Sequence, residues 1–204
     1  MFKLLDGVRV LESALLLNGG QVGMIFADFG AEVIKIEDCK RGDYIRDILG
    51  QVHPRESPAH LQVHKNKKSV ALDVRTERGR EIFFELLKTA DVFVDGLRAG
   101  ACDTLGIGYD VQKQVRPGVV YVQCTGYGAV GPYAKIPTHG YQMTALAGGM
   151  PAELGDDGKV HRLHRVQYMG GTEESGSASL LGAQAAVMAA MAALTRRAGG
   201  RMTI

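Results

Sequence analysis

The sequence predicts an α/β fold in which a parallel sheet carries helices on its flanks. Short apolar runs of strand character alternate with segments of helical periodicity, which is the order of a parallel sheet with crossover connections. A long segment rich in Ala, Leu and Met near the end of the chain predicts a further helix. The 204 residues are 46% hydrophobic and 23% charged, so the chain can bury an ordinary core, and one domain is the simplest interpretation.

The first three predicted elements form a strand, a helix and a strand. Residues 8–11 are a short apolar run, and residues 19–29 predict a helix that ends at Gly30, because glycine is the usual residue just past a helix end. Residues 32–37 alternate polar with apolar side chains and predict the next strand.

The middle of the chain repeats this alternation. Residues 69–74 have strand character, and Thr76 can accept from the free amides of a helix in which Ile82, Phe83, Leu86 and Leu87 recur at helical spacing. Residues 92–94 and 119–122 are two further strand-like runs.

The last predicted helix covers residues 175–197. It lacks proline, and Arg196 and Arg197 near its end complement the negative pole of the helix. We expect this helix to be buried. Gly199 and Gly200 end it, and residues 201–204 begin what resembles another strand, so we expect the chain to be a truncated reading frame or a fragment.

Charge and cysteine content exclude several classes of function. The net charge of +2 gives no broad basic field for nucleic acid, although the run His64–Lys68 could hold a phosphorylated ligand locally. Three widely spaced cysteines without a Cys-x-x-Cys pattern argue against disulfides and structural zinc and favour a reducing cytoplasm. His161 and His164 fit a solvated pair better than a metal site. No signal segment or uncharged apolar stretch of ~20 residues is present, so we expect a soluble protein.

Generic nucleotide-binding and hydrolase motifs are absent, and longer motifs take their place. There is no Gly-x-Gly-x-x-Gly after the first strand, no phosphate loop and no Gly-x-Ser-x-Gly elbow. Six segments, in this order and spacing, resemble family III CoA-transferases: LDGVRVLE (5–12), ADFGAEVIKIE (27–37), NKKSVALD (66–73), VDGLRAG (94–100), LGIGY (105–109) and GYGAVGPY (126–133).

This resemblance covers nearly the whole chain and implies a fold. Residues 1–204 would be the amino-terminal portion of the large CoA-binding domain, a Rossmann-like sheet within a longer polypeptide. In the family two such subunits interlock as rings in a dimer. The rest of the family fold would lie outside this chain.

The resemblance also implies a substrate and candidate contacts to it. Acyl-CoA would be a substrate, with a carboxylic acid as acceptor and no tightly bound cofactor, and it would bind at the carboxyl ends of the strands. The candidate CoA contacts are Arg98, Lys40, Arg41, Leu97 and Gly126. Simple solvation of the basic side chains, and a tight turn at the glycine, remain open alternatives.

At three further places the sequence either has a simpler explanation than ligand binding or differs from the family pattern. Residues 66–68 are slightly better explained as a charged strand entry that keeps a sheet edge soluble. The residue after Glu37, often arginine in the family, is Asp38, and Thr104 replaces another residue that can be arginine, so both departures remove positive charge from the expected CoA site.

The family's nucleophile is missing from its expected place. In the transferases an aspartate just after the Gly-Pro-Tyr segment attacks the thioester, forming a mixed anhydride and then an enzyme-bound CoA thioester. Here that aspartate aligns with Gly140, Gln142 or Thr144 according to register, and no Asp or Glu occurs between Asp110 and Glu153. A threonine would need a nearby base, so Thr144 is a weak candidate nucleophile and is better explained as structural.

A related reaction, racemization of 2-methylacyl-CoA, fits only half of its motif. His139 could match the family's histidine, but Gln167, Tyr168 and Met169 stand where the paired aspartate should precede Gly170–Gly171. A loop histidine with a local hydrogen bond is the simpler explanation of His139.

Three functions therefore remain open from the sequence. The first is a CoA-transferase subunit that pairs with an identical or homologous chain, the homologous one retaining the aspartate. The second is a single-chain acyl-CoA enzyme that uses another acid, such as Glu173 or Glu174, although glutamates there also suit a helix start. The third is a CoA-binding or scaffold protein without turnover.

Overall fold

The computed structural model describes residues 3–48, 50–147, 152–162 and 175–199. Its centre is a sheet of five parallel strands in the order β3-β2-β1-β4-β5, which are β1 Arg9–Ala14, β2 Glu32–Glu37, β3 Lys67–Ala71, β4 Val92–Gly96 and β5 Val120–Gln123. This order is that of the first five strands of a doubly wound fold. The predicted α/β class and the Rossmann-like parallel sheet are confirmed.

Seven helices, one 3₁₀ turn and a small hairpin complete the part of the chain that the structure describes. The helices are α1 Leu16–Asp28, α2 Pro58–Val63, α3 Glu77–Leu87, α4 Ala101–Thr104, α5 Tyr109–Val115, α6 Gly140–Leu146 and α7 Ser175–Ala198. The 3₁₀ turn is Tyr44–Asp47, and the antiparallel hairpin joins β6 Ala152–Leu154 to β7 Val160–Arg162.

The sheet has a hydrophobic core on each face because successive strand residues point to opposite sides. Val10 packs with Phe26 of α1 and Val187 of α7 on one face. Its neighbour Leu11 packs with Phe83 and other residues of the α3 side on the opposite face. The two layers hold the carboxyl ends of the strands in fixed positions, where the candidate site lies.

Predicted helix ends agree with the structure in several places. The Thr76 hydroxyl accepts from the Gly79 amide at 3.0 Å and caps α3 as expected. Helix α1 ends before Gly30, which has a φ of 99°. It begins at Leu16, three residues before the predicted start, and the Leu16 amide is held by a side chain distant in sequence. The predicted strand at residues 201–204 lies outside the described residues.

The prediction that α7 is buried is right for some of its described side chains and wrong for others. Ala183, Val187 and Ala190 are buried against the sheet, but Leu181 is 66% exposed and Met188 is 73% exposed. The stretch Ser179–Ala198 is also long and apolar enough to cross a membrane by length and composition, although it contains Arg196 and Arg197. A single such helix is weak evidence, since helices that pack on a core pass the same test.

Candidate functional site

A cavity of about 610 Å³ opens at the carboxyl ends of the central strands. Its walls come from residues 15–18 after β1, residues 96–99 at the end of β4 and residues 124–127 after β5, together with residues 134, 136–140 and 143 around α6. Ligands of open parallel sheets bind at this end, because adjacent crossover connections leave a crevice there. The cavity is therefore the candidate site.

Most of the cavity lining is apolar, and the described charged side chain in it is basic. Leucine, isoleucine, proline and methionine side chains form much of the wall, with hydroxyl and amide groups between them. Among the described residues, no Asp or Glu borders the cavity, and Arg98 is its one lysine or arginine. Such a site suits a ligand with an apolar part and an anionic end.

Arg98 and Leu97 follow β4 and are positioned by a buried carboxylate. Asp95 is fully buried and accepts from the Leu97 amide at 3.1 Å and from the Tyr121 hydroxyl at 2.7 Å. Burial raises the pKa of Tyr121, and the Cys102 thiol and the Asp95 carboxylate raise it further, so the phenol stays a hydrogen-bond donor. The exposed Arg98 side chain has no hydrogen bond or ion pair within the described ranges, which leaves its guanidinium available to a ligand.

Gly126 lies in the cavity wall for a reason that the sequence did not indicate. A Cβ atom at this position would lie 2.1 Å from Thr138 Cγ2 and 2.9 Å from Met143 Sδ. The glycine therefore allows the segment after β5 to pack closely on the segment that leads into α6.

Lys40 and Arg41 lie beside this cavity, in a second one of about 630 Å³ that shares Leu15, Tyr44 and Ile48 with the first. Arg75 also lines the second cavity, as do Asp38 and Asp47, and its guanidinium is paired with Asp73 at 2.7 Å.

Asp38, which we expected to oppose an anion, has its charge locally compensated. Its carboxylate accepts from the Lys40 and Arg41 amides, both at 2.9 Å, and pairs with Arg75 at 3.0 Å. These amide bonds lower the pKa of Asp38. Sequence reasoning missed Arg75, although its place just past β3, at the carboxyl edge of the sheet, is a usable signal.

The segment of the missing aspartate forms α6. Gly140 lines the cavity, whereas Gln142 is exposed and its Oε1 accepts from the His139 amide at 3.0 Å. The Thr144 hydroxyl donates to the Gly140 carbonyl at 3.0 Å and does not line the cavity. Of the three alternative alignments, only Gly140 stands at the cavity, where it offers no side chain.

His139 stands at the cavity, exposed and in edge contact with Tyr44, at a centroid distance of 6.5 Å. The residues expected to hold its partner acid, 167–169, lie outside the described residues, as do Glu173 and Glu174.

A buried cluster of five titratable side chains lies beneath the segment after β1. Glu12, Lys35, Asp43 and Lys67 have side chains at most 2% exposed, and His64 is 6% exposed. The preference for a charged, solvated strand entry at residues 66–68 is therefore wrong for Lys67, which bonds Glu12 at 2.6 Å. Buried charges need such partners to offset lost hydration.

The run His64–Lys68 was also considered as a site for a phosphorylated ligand, but its lysines already form ion pairs within the chain. Within that run Lys65 pairs with Asp28 and Lys68 with Glu32. The five-residue cluster was not predicted from the sequence. A signal for it was present, because charged residues rarely occur inside otherwise apolar strands.

The fold and the cavity define the class of α/β proteins that bind a ligand at the carboxyl ends of a parallel sheet, and comparison with known families agrees with this class. Residues 5–202 match the model of CoA-transferase family III, and the chain belongs to this family.

Individual relatives give the same result. The chain is 35% identical to succinyl-CoA:glutarate CoA-transferase of Mus musculus over 156 residues, covering 76% of this chain and 36% of that protein. It is 33% identical to formyl-CoA:oxalate CoA-transferase of Streptomyces coelicolor, covering 76% and 38%. Among solved structures, a CAIB/BAIF family protein from Brucella suis has a TM-score of 0.80 at 30% identity, covering 98% of this chain and 51% of that one.

A second solved structure, Rv3272 from Mycobacterium tuberculosis, has a TM-score of 0.78 at 30% identity, covering 99% of this chain and 54% of that one. The chain thus spans a little over a third of these curated relatives and about half of the solved structures.

Proposed function

We propose that this chain is the acyl-CoA-binding part of a CoA-transferase acting between carboxylic acids, and that a homologous subunit supplies the nucleophilic aspartate. The observation that carries the proposal is a cavity with the family's motifs in its walls and no carboxylate among the described residues that border it. The sequence supports the same point, since residues 111–152 contain no Asp or Glu.

The chemistry needs an enzyme carboxylate, because this group first forms a mixed anhydride with the acyl group of the thioester and then exchanges that acyl group for CoA. Attack by a hydroxyl would give an ester, which does not exchange CoA in this way. Thr144 also lacks an activating base in its described contacts, because its hydroxyl donates to the Gly140 carbonyl. His139 could hold or move a proton, but an imidazole has no carbonyl carbon to which CoA could become attached as an enzyme-bound thioester.

The residues present are suited to binding acyl-CoA. In this proposal the guanidinium of Arg98 contacts the CoA diphosphate, and Lys40 and Arg41 attract the remaining phosphate charge from the adjoining cavity. The apolar wall between them shields the thioester end from water. We place the activity in the cytoplasm, with a dimer of homologous subunits as the working assembly.

Reconstitution tests this division of labour. The chain would be produced alone, and together with a homologous chain that carries an acid after its Gly-Pro-Tyr segment, and CoA transfer from succinyl-CoA to a panel of labelled acids would be measured. We expect no transfer by the chain alone and transfer by the pair. Replacing the partner's acid with alanine should abolish transfer while calorimetry still detects CoA binding.

Transfer by the purified chain alone, with an enzyme-bound CoA thioester mapped to one of its own residues, would overturn the proposal. Absence of CoA binding in the assembled pair would overturn the binding role as well.

A further inference from the structure

Leu16 has a backbone conformation that leucine rarely adopts, and it forms part of the cavity wall. Its φ is 59°, in the left-handed region, whereas the preceding Leu15 is extended with a φ of −122°. For a residue with a side chain the left-handed region is strained, so it persists only where surrounding bonds hold it. Leu15, Leu16, Leu17 and Asn18 all line the cavity, so this conformation shapes the wall.

The bonds that hold Leu16 come from Asp43. The Leu16 amide donates to both carboxylate oxygens of Asp43, each at 3.2 Å. Asp43 is fully buried and lies 27 residues away in sequence, in the loop after β2. It also accepts from the Ile45 amide at 3.0 Å, which fixes the carboxylate to its own loop. One side chain thus ties the loops after β1 and β2 together.

The rest of the buried cluster keeps Asp43 ionised and in place. Lys35 Nζ lies 3.0 Å from Asp43 Oδ2 and also donates to the Ala14 carbonyl at 2.6 Å. His64 Nε2 lies 3.4 Å from the same oxygen. Burial opposes the charge of Asp43, but the contacts with His64 and Lys35 outweigh it and lower the pKa of Asp43 well below its ordinary value.

Glu12 balances the two lysines of the cluster. Its Oε1 lies 3.2 Å from Lys35 Nζ and its Oε2 lies 2.6 Å from Lys67 Nζ. The space for this carboxylate comes from Gly23 of α1, where a Cβ atom would lie 1.8 Å from Glu12 Oε2. The cluster is therefore built into the packing of α1 on the sheet.

We propose that Asp43 is a positioning residue for the acyl-CoA site: its carboxylate holds Leu16 in the left-handed conformation and so sets the wall formed by residues 15–18. This inference rests on the proposed function for its ligand, because acyl-CoA is the molecule assigned to the cavity. Asp43 itself is not among the residues that line the cavity.

The first test changes Leu16 and leaves the cluster intact. Leu16→Val should disfavour φ near 59°, because a β-branched residue is a clear outlier there. Leu15→Val removes the same methylene from the same wall at an ordinary φ and controls for lost contact. By calorimetry with acetyl-CoA, we expect Leu16→Val to lose ~5–30-fold more affinity than Leu15→Val, the equivalent of about 1–2 kcal/mol of backbone strain.

The second test changes Asp43 and asks for rescue. Asp43→Asn should weaken acetyl-CoA binding by a similar ~5–30-fold, because the amide oxygen alone holds Leu16 less firmly. Adding Leu16→Gly should recover most of that loss, since glycine adopts a positive φ without strain. Adding Leu61→Gly, on the exposed side of α2, should not recover it.

A measurement without ligand tests the role of Asp43 at Leu16 independently of the proposed binding of acyl-CoA. Hydrogen exchange at the Leu16 amide should accelerate in Asp43→Asn and stay slow in the wild-type chain and in an Arg78→Ala control. If no acetyl-CoA binds to the wild-type chain assembled with its partner, the proposed function fails, and the exchange rate at Leu16 still decides whether Asp43 holds this segment.

Three results would overturn the positioning role. They are equal losses in Leu16→Val and Leu15→Val, a loss in Asp43→Asn that Leu16→Gly does not recover, and an unchanged Leu16 exchange rate in Asp43→Asn. If Asp43→Asn does not fold, equal losses in the two valine variants would still overturn the proposal, because the Leu16 conformation would then not set the wall.

Discussion

Replacing Arg98 with alanine tests the proposed CoA site most directly, because this change removes charge without breaking a described contact. The Arg98 side chain is exposed and has no ion pair within the described ranges, so Arg98→Ala leaves no buried acid unpaired and should leave stability unchanged. Any loss of CoA affinity would then report the ligand contact itself.

The expected loss follows from the exposure of the side chain. A charge-assisted hydrogen bond contributes about 1.5–3 kcal/mol. Because solvent screens an exposed guanidinium, we expect the lower end, ~1.5 kcal/mol, or about a tenfold weaker Kd. Calorimetry of CoA with the assembled complex measures this. Raising the salt concentration should shrink the difference between wild type and variant.

Two comparisons identify the contact. Arg78→Ala, which removes another exposed arginine, from α3 and outside both cavities, should leave the Kd unchanged. Dephospho-CoA should show nearly the same loss as CoA in Arg98→Ala if the guanidinium contacts the diphosphate and not the ribose phosphate. Equal CoA affinity in Arg98→Ala and wild type would remove Arg98 from the site.

Three further predictions concern stability and reactivity. Among the described residues, Lys67→Met leaves the buried Glu12 with Lys35 as its one remaining charged partner, so we expect a loss of ~3 kcal/mol in urea unfolding at pH 7, whereas Lys68→Met on the surface should cost under ~1 kcal/mol. Burial opposes the charge of Glu37, but Arg46, Ser69 and the Asp43 amide lower its pKa to about 2. Because the folded pKa lies below the unfolded one, this stabilisation is present at neutral pH and is lost as the pH falls from about 5 towards 2, at most ~3 kcal/mol, and Arg46→Met should flatten that dependence. Iodoacetamide should modify the exposed thiol of Cys39 in the folded chain and spare the two buried thiols, and peptide mapping that finds all three alkylated equally would contradict the burial of Cys102 and Cys124.

The sheet was predictable because its signals are local. Apolar runs marked β1, β4 and β5, alternation of polar and apolar residues marked β2, and Thr76 marked the start of α3, since alternation and capping depend on neighbours within a few residues. The start of α1 was missed because Asp43, from 27 residues away, holds Leu16. Burial of α7 was overestimated because composition alone does not say which side of a helix meets the sheet.

The candidate site was predictable to the extent that it follows strand ends. Leu97, Arg98 and Gly126 come together at one cavity because β4 and β5 are neighbours with parallel direction. Lys40 and Arg41 lie beside it through the loop after β2. The pairing of Asp38 with Arg75 and the burial of Lys67 depend on contacts between distant segments, which the sequence pattern does not encode.

The buried cluster of Glu12, Lys35, Asp43, His64 and Lys67 has a consequence for how the chain folds. Its members come from three strands, a loop and the end of α2, so no local segment can neutralise them. Each charge must stay hydrated until both parallel crossovers have closed, and that closure is an entropic barrier. We therefore expect the cluster to form after the folding transition state, so that its variants mainly accelerate unfolding and slow refolding little.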